Sequence, residues 1–202
     1  MATFKSVTPP SRTYHGSGTP GLQVLAYRES RSECTAGEGV YLTSDINAAM
    51  KYAVIRSSGG NPRTPVVYAA RLEGNFLDLR AYSDLISFLK EAVRPALIER
   101  LTAGNNLPWS LQAVLEGSIE TIDRSEAIWL NRLLTQKIGS LFNRVVISQG
   151  FDALVIREGG EMGGGIRDNF NHDSWVVLEP REVITTREIL VTQEEIQQLQ
   201  RQ

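Results

Sequence analysis

GEGVYLTSDINAAMKYAVIRSS, residues 37–58, changes its pattern part-way along. Behind the glycines, Val40, Tyr41, Leu42 and Thr43 make a short apolar strand. Ser44 or Asp45 can then cap a helix that places Ala48, Ala49, Tyr52 and Ala53 on one face. A strand that runs straight into a helix suits any mixed fold, so its neighbours decide the class. Downstream, GGNPRT (59–64) breaks the chain, and PVVYAARLEG (65–74) is a strand rich in β-branched residues. Upstream, LQVLAYRES (22–30) fits a strand or a short helix equally. The first dozen residues, with Pro9 and Pro10, read as an extended lead-in.

From residue 76 to about 142 the pattern is mainly helical, with Pro95 expected to kink or split it and TAGNNLPWS (102–110) as a connector. Further helices are expected over 110–122 and 125–150, where Ile128, Trp129, Leu133 and Ile138 share one face. GFDALVIRE (150–158) is a strand. A glycine-rich loop leads from it into DSWVVLEPREVITTREILV (173–191), a second apolar strand and more, and the chain closes on a short polar helix. Strands at both ends with a helical insertion at about 81–149 predict an α+β class rather than alternating α/β. With no internal repeat and no long linker, 1–202 reads as one domain.

Composition excludes several function classes. The apolar share of 42%, the charged share of 22% and the net charge of −2 are those of an ordinary globular chain. The lack of a basic excess counts against nucleic acid as a partner. One cysteine, Cys34, cannot build an internal disulfide framework, and one cysteine with two histidines is too few for a structural zinc site. No apolar run nears the ~20 residues that span a bilayer, and the N-terminus lacks the apolar core of a secretory signal. A cytoplasmic protein is expected, or one delivered into another cell by a signal-independent route, with no membrane partner.

Both histidines stand at telling places. TYHGS (13–17) sets His15 beside Tyr14 and directly before Gly16 and Ser17, and His172 ends the loop EGGEMGGGIRDNFNH (158–172). Alone, a histidine before glycine is a turn residue, and Tyr41 and Tyr52 are core positions. The order of the pieces gives them weight. Tyr14-His15-Gly16-Ser17, then Tyr41-Leu42-Thr43 with Ala48, Ala49 and Tyr52-Ala53, then the HDSWVVLEP strand, together resemble the ADP-ribosyltransferase superfamily. The likeness is to its His–Tyr–acid branch, which includes diphtheria-type toxins, poly-ADP-ribose polymerases and bacterial and phage relatives.

The resemblance implies a split β-sheet core and NAD as co-substrate, with no metal. It implies that His15 binds the adenosine-side ribose, that the Gly16 backbone holds the carboxamide, and that Tyr41 stacks on nicotinamide. Ser17, Thr43 and Tyr52 would line the same pocket. Such residue types suit the chemistry, because cleaving the nicotinamide–ribose bond passes through an oxocarbenium-like sugar that a carboxylate can stabilise. In the family that acid directly precedes the aromatic of the last core strand; here Ser174 precedes Trp175. Asp173 is the favoured acid, with Glu158 and Asp168 as competitors. Strand alternation turns a residue one place off to the other face unless a bulge intervenes. The loop before this strand contacts the acceptor in the family, which makes Arg167, Phe170 and His172 recognition candidates. That loop lacks the Lys-Ser/Thr of a phosphate-binding loop and opens no helix.

The expected function is a mono-ADP-ribosyltransferase that releases nicotinamide and passes ADP-ribose to a protein acceptor. Two alternatives are an NAD glycohydrolase-type toxin and a non-catalytic binding or inhibitory module on the same fold.

Overall fold

A computed structural model describes residues 3–27, 37–57, 64–100, 115–121, 140–158, 172–178 and 181–200. Among these, nine strands form a mixed sheet: β1 (Ser6–Val7), β2 (Thr13–Ser17), β3 (Val24–Leu25), β4 (Gly39–Thr43), β5 (Val66–Ala70), β6 (Phe76–Asp78), β7 (Ala153–Glu158), β8 (His172–Leu178) and β9 (Val183–Leu190). Their spatial order is β1-β6-β7-β8-β4-β2-β5-β9-β3, with β6 and β7 parallel and every other pair antiparallel. The mixed α and β content agrees with the α+β expectation. Part of the lead-in is not merely extended, since β1 pairs with β6. LQVLAYRES resolves to the two-residue strand β3 among its described residues. The stretch read as helical from residue 76 begins instead with β6.

The sheet is nearly divided. β2 pairs with β5 over five positions but with β4 at one only, Tyr14 opposite Thr43. Helix α1 (Ile46–Ser57) packs on β2 and β5, burying Ala49, Ala53 and Val54 against Val67 and Val191. Asp45 rather than Ser44 caps it, its carboxylate accepting the N–H groups of Asn47 and Ala48 at 2.8 and 3.4 Å. Over the other half lie α2 (Tyr82–Phe88), a π-helical turn (Leu89–Val93), α3 (Arg94–Arg100) and a helix over 140–148, here α4. Phe88, Leu89, Val93, Leu97, Phe142 and Val146 bury Leu154, Ile156, Val176 and Leu178 of the sheet. The wide turn answers the expected effect of Pro95. A proline ring collides with the carbonyl four residues back, and loosening the coil there absorbs the conflict without ending the helix.

The opposite face has no helix in its core cluster. Val66, Tyr68 and Ala70 of β5 bury together with Val40, Leu42, Val155, Trp175 and Val177, so strands of the two halves cover one another. Phe76 and Trp175 meet there edge-to-face at 5.4 Å, a contact worth about 1 kcal/mol beyond its buried area. At the C-terminal end, α5 (Gln193–Gln200) starts with a capping box. Thr192 Oγ1 accepts the Glu195 N–H, and the Glu195 carboxylate accepts the Thr192 N–H at 2.7 Å. Among the described residues no helix is long and apolar enough to cross a membrane.

Candidate functional site

Antiparallel pairing fixes which side chains share a face. Thr43 lies opposite Ser174, Tyr41 opposite Val176, Ile156 opposite Ser174, and Glu158 opposite His172. Directly paired residues project to the same side of a sheet. Tyr41, Thr43, Glu158, His172 and Ser174 therefore occupy the helix-covered face, and Tyr52 reaches them from α1. The Tyr52 and His172 rings meet edge-to-face at 5.6 Å, with the Tyr52 hydroxyl 3.5 Å from His172 Nε2. Ser174 Oγ donates to Glu158 Oε2. His172 Nε2 lies 3.3 Å from Ser174 Oγ and 3.6 Å from Glu158 Oε2. The His172 and Glu158 side chains are only 4% and 14% exposed, so the carboxylate is mostly withdrawn from water and its hydroxyl donor carries real weight.

Asp173, the acid favoured on sequence grounds, is placed on the other face. It accepts Arg157 Nη1 at 2.8 Å and Arg80 Nη1 at 3.0 Å. No bulge rescues it, because β8 pairs with β7 in unbroken register from His172 to Val177. Arg80 also grips Asp78, which is 1% exposed, through Nε and Nη2 at 2.8 and 2.7 Å. That guanidinium holds the Asp78 carboxyl down to about 2 against the burial that opposes ionisation, and the carboxylate in return raises the Arg80 value. Of the described candidates, the acid on the tyrosine-bearing face is Glu158.

On β2, His15 and Ser17 are paired with Tyr68 and Val66 and so project to the face opposite Tyr41, Thr43 and Glu158. His15 Nδ1 donates to the Tyr41 carbonyl at 2.8 Å, a bond that spans the strands where the backbone ladder has only its single pair. A carbonyl can only accept, so the proton sits on Nδ1. The Tyr41 ring is half-buried and its hydroxyl donates to the Gly37 carbonyl at 2.9 Å. Asn143 of α4 fixes the approach to that strand by bonding both polar groups of the Glu38 backbone, at 3.1 and 2.8 Å. Thr43 Oγ1 accepts the Asp45 N–H and so fastens the strand to α1. Ser17 is buried and accepts the Thr19 N–H.

Two assignments change. Gly16 was expected to make room for a ligand, but a Cβ there would come within 2.0 Å of the Ala49 carbonyl oxygen and 2.6 Å of the Ala53 nitrogen. The glycine is accounted for by α1 lying on β2. His172, expected on an exposed recognition loop, is the first residue of β8 and is buried against Tyr52. Arg167, Asp168 and Phe170 lie outside the described residues. Sequence reading missed Ser174 as the partner of Glu158, and missed Asp78 and Arg80 altogether. Counting by twos, back from Val176 and forward from Ile156, would have put Ser174, His172 and Glu158 on one face.

Among the described residues no group of three or more His, Cys, Asp or Glu side chains could hold a metal ion. No protein-family model, curated protein or solved structure matches the chain.

Proposed function

We propose that this chain is an NAD-dependent mono-ADP-ribosyltransferase in which Glu158, reached across the strands from Ser174, is the working carboxylate. The observation that carries the reading is a mostly buried carboxylate, held by a hydroxyl, on the same sheet face as Tyr41, Thr43 and Tyr52. The near-division of the sheet between β2 and β4 suits a split-sheet core, with His15 and Tyr41 joined at the division.

These residues fit a nicotinamide dinucleotide in kind. Half-buried tyrosines offer ring faces, Thr43 and Ser174 offer hydroxyls, and Glu158 offers negative charge. The glycosidic bond breaks with its electron pair leaving on nicotinamide, and the acceptor's lone pair forms the new bond to the ribose carbon. Glu158 would stabilise the cationic sugar and receive the proton the acceptor loses. His172 and Ser174 act as positioning residues that hold the carboxylate in place.

Nicotinamide release from NAD by the purified protein, with and without cell lysate, tests the reading. Release that requires lysate is the expected result, and labelled NAD then marks the acceptor. Release without lysate means water or the protein itself accepts. No NAD binding by calorimetry, together with no release, leaves the fold as a non-catalytic module and overturns the proposal.

A further inference from the structure

A second polar feature lies at the start of β2 and the end of β5, apart from the Glu158 cluster. Arg12 and Arg71 each stand one residue outside the paired positions Thr13 and Ala70, so two guanidiniums emerge side by side from adjacent antiparallel strands. Like charges so placed repel. Among the described residues neither arginine forms an ion pair with a carboxylate. The two line a cleft of about 650 Å³ with Ser11, Ala70 and Thr186, a volume in the range of small-ligand sites.

A local irregularity shapes the cleft. β5 and β9 fall out of register between Ala69, opposite Arg187, and Ala70, opposite Thr185, which leaves Thr186 as the extra residue. Its hydroxyl donates to the Ala69 carbonyl at 3.1 Å, and the Thr13 hydroxyl donates to the Ala70 carbonyl at 3.1 Å. The backbone that leads into Arg71 is thus pinned from both sides.

We infer that this cleft binds a phosphate group carried by a nucleotide-sized ligand. Paired guanidiniums present forked donors that match phosphate oxygens, and an anion between them converts mutual repulsion into attraction. The Ser11 hydroxyl can donate as well. The phosphate has two possible sources, the diphosphate of NAD or a phosphate on a separate ligand. The inference does not rest on NAD cleavage.

Inorganic pyrophosphate, titrated calorimetrically at low ionic strength, is the probe. Wild type is expected to bind it at one site, and Arg12→Gln with Arg71→Gln to weaken binding at least tenfold. The double variant Arg12→Lys with Arg71→Lys should fall between, because charge remains and the fork is lost. Both arginines are exposed, so the variants should keep the wild-type circular dichroism spectrum. Repeating the titration with NAD present separates the sources. Competition assigns the cleft to the dinucleotide, and undiminished binding assigns it to another ligand. If wild type binds no NAD, the pyrophosphate result still stands by itself. Absence of pyrophosphate binding, or binding unchanged in the double glutamine variant, overturns the inference.

Discussion

Strand β8 carries polar groups on both faces, and the two sets are built differently. On the helix-covered face, His172 and Ser174 gather around one carboxylate, Glu158, with Tyr52 beside them. On the other face, Asp173 is closed into a chain of alternating charges with Arg157, Arg80 and Asp78, and Lys5 adds a contact to Asp78 at 3.3 Å. A carboxylate held by two guanidiniums has its charge already matched. The Glu158 carboxylate accepts a hydroxyl instead, and on the proposed reading its charge is the one that meets the developing cation. Acids at neighbouring register positions of paired strands, Glu158 of β7 and Asp173 of β8, thus fall on opposite faces, simply because side chains alternate.

The largest expected effect tests that division directly. Glu158→Gln should lower nicotinamide release by about 100-fold or more, the scale of removing a group that meets transition-state charge. Asp173→Asn should keep release within a few-fold of wild type. A reversed result, measured by steady-state kinetics on folded variants, would break the comparison.

The next effect concerns stability on the arginine face. Asp78→Asn strands part of the Arg80 charge and should cost about 2–3 kcal/mol in denaturant unfolding, discounted because Arg80 is one-third exposed. A pH signature accompanies it. The folded Asp78 value, about 2, lies below the ordinary aspartate value of about 3.9. Its contribution is therefore present above about pH 4 and is lost as the pH falls toward 2, about 2 kcal/mol in all. Unfolding of wild type at pH 5 and pH 2.5 should show more loss than the same pair of measurements on Asp78→Asn. Equal losses would mean that the buried pair contributes nothing specific.

The smallest effect sharpens the contrast further. Trp175 shares the arginine face, with Arg80 5.9 Å from its ring centre, yet among the described residues its buried indole N–H has no hydrogen-bond partner. Trp175→Phe keeps the ring contact with Phe76 and removes an unsatisfied donor, so packing loss and polar relief should nearly cancel, within about 1 kcal/mol. A cost well above that in thermal unfolding would show that the indole does more than fill space.

The sequence was legible where structure is local. The α1 helix follows from its alanine face and its cap, and α5 from the Thr192–Glu195 spacing; both persist in any context that buries one side. The two-residue β1 and three-residue β6 were not legible, since they are short and β6 pairs with β1 and with β7, far along the chain on either side. Of the candidate residues, Tyr41 and Tyr52 lie on the face of Glu158, whereas His15 is paired with Tyr68 on the other face and bonds the Tyr41 backbone carbonyl. The preference for Asp173 rested on nearness to Trp175 along the chain, which says little about reach across it; Asp173 lies on the arginine face and Glu158 on the tyrosine face. Glu158 finds Ser174 only through the register of β7 on β8. The loop that separates them, rich in glycine, carries no trace of that register. His172 looked like a loop residue for the same reason.

The strand order has a consequence for how the molecule is made. β8 lies between β7 and β4, and β9 covers β5, so each half of the sheet is finished by a strand near the C-terminal end of this chain. The residues of β4 and β5 meet those partners across more than a hundred intervening positions. A ribosome releasing this chain would hold β4 with an open edge until residue 178 had emerged, and β5 until residue 190 had. Such long-range closure is slow, and open edges invite pairing with other chains. Holding chaperones should therefore matter more to the yield of this protein than to its final stability.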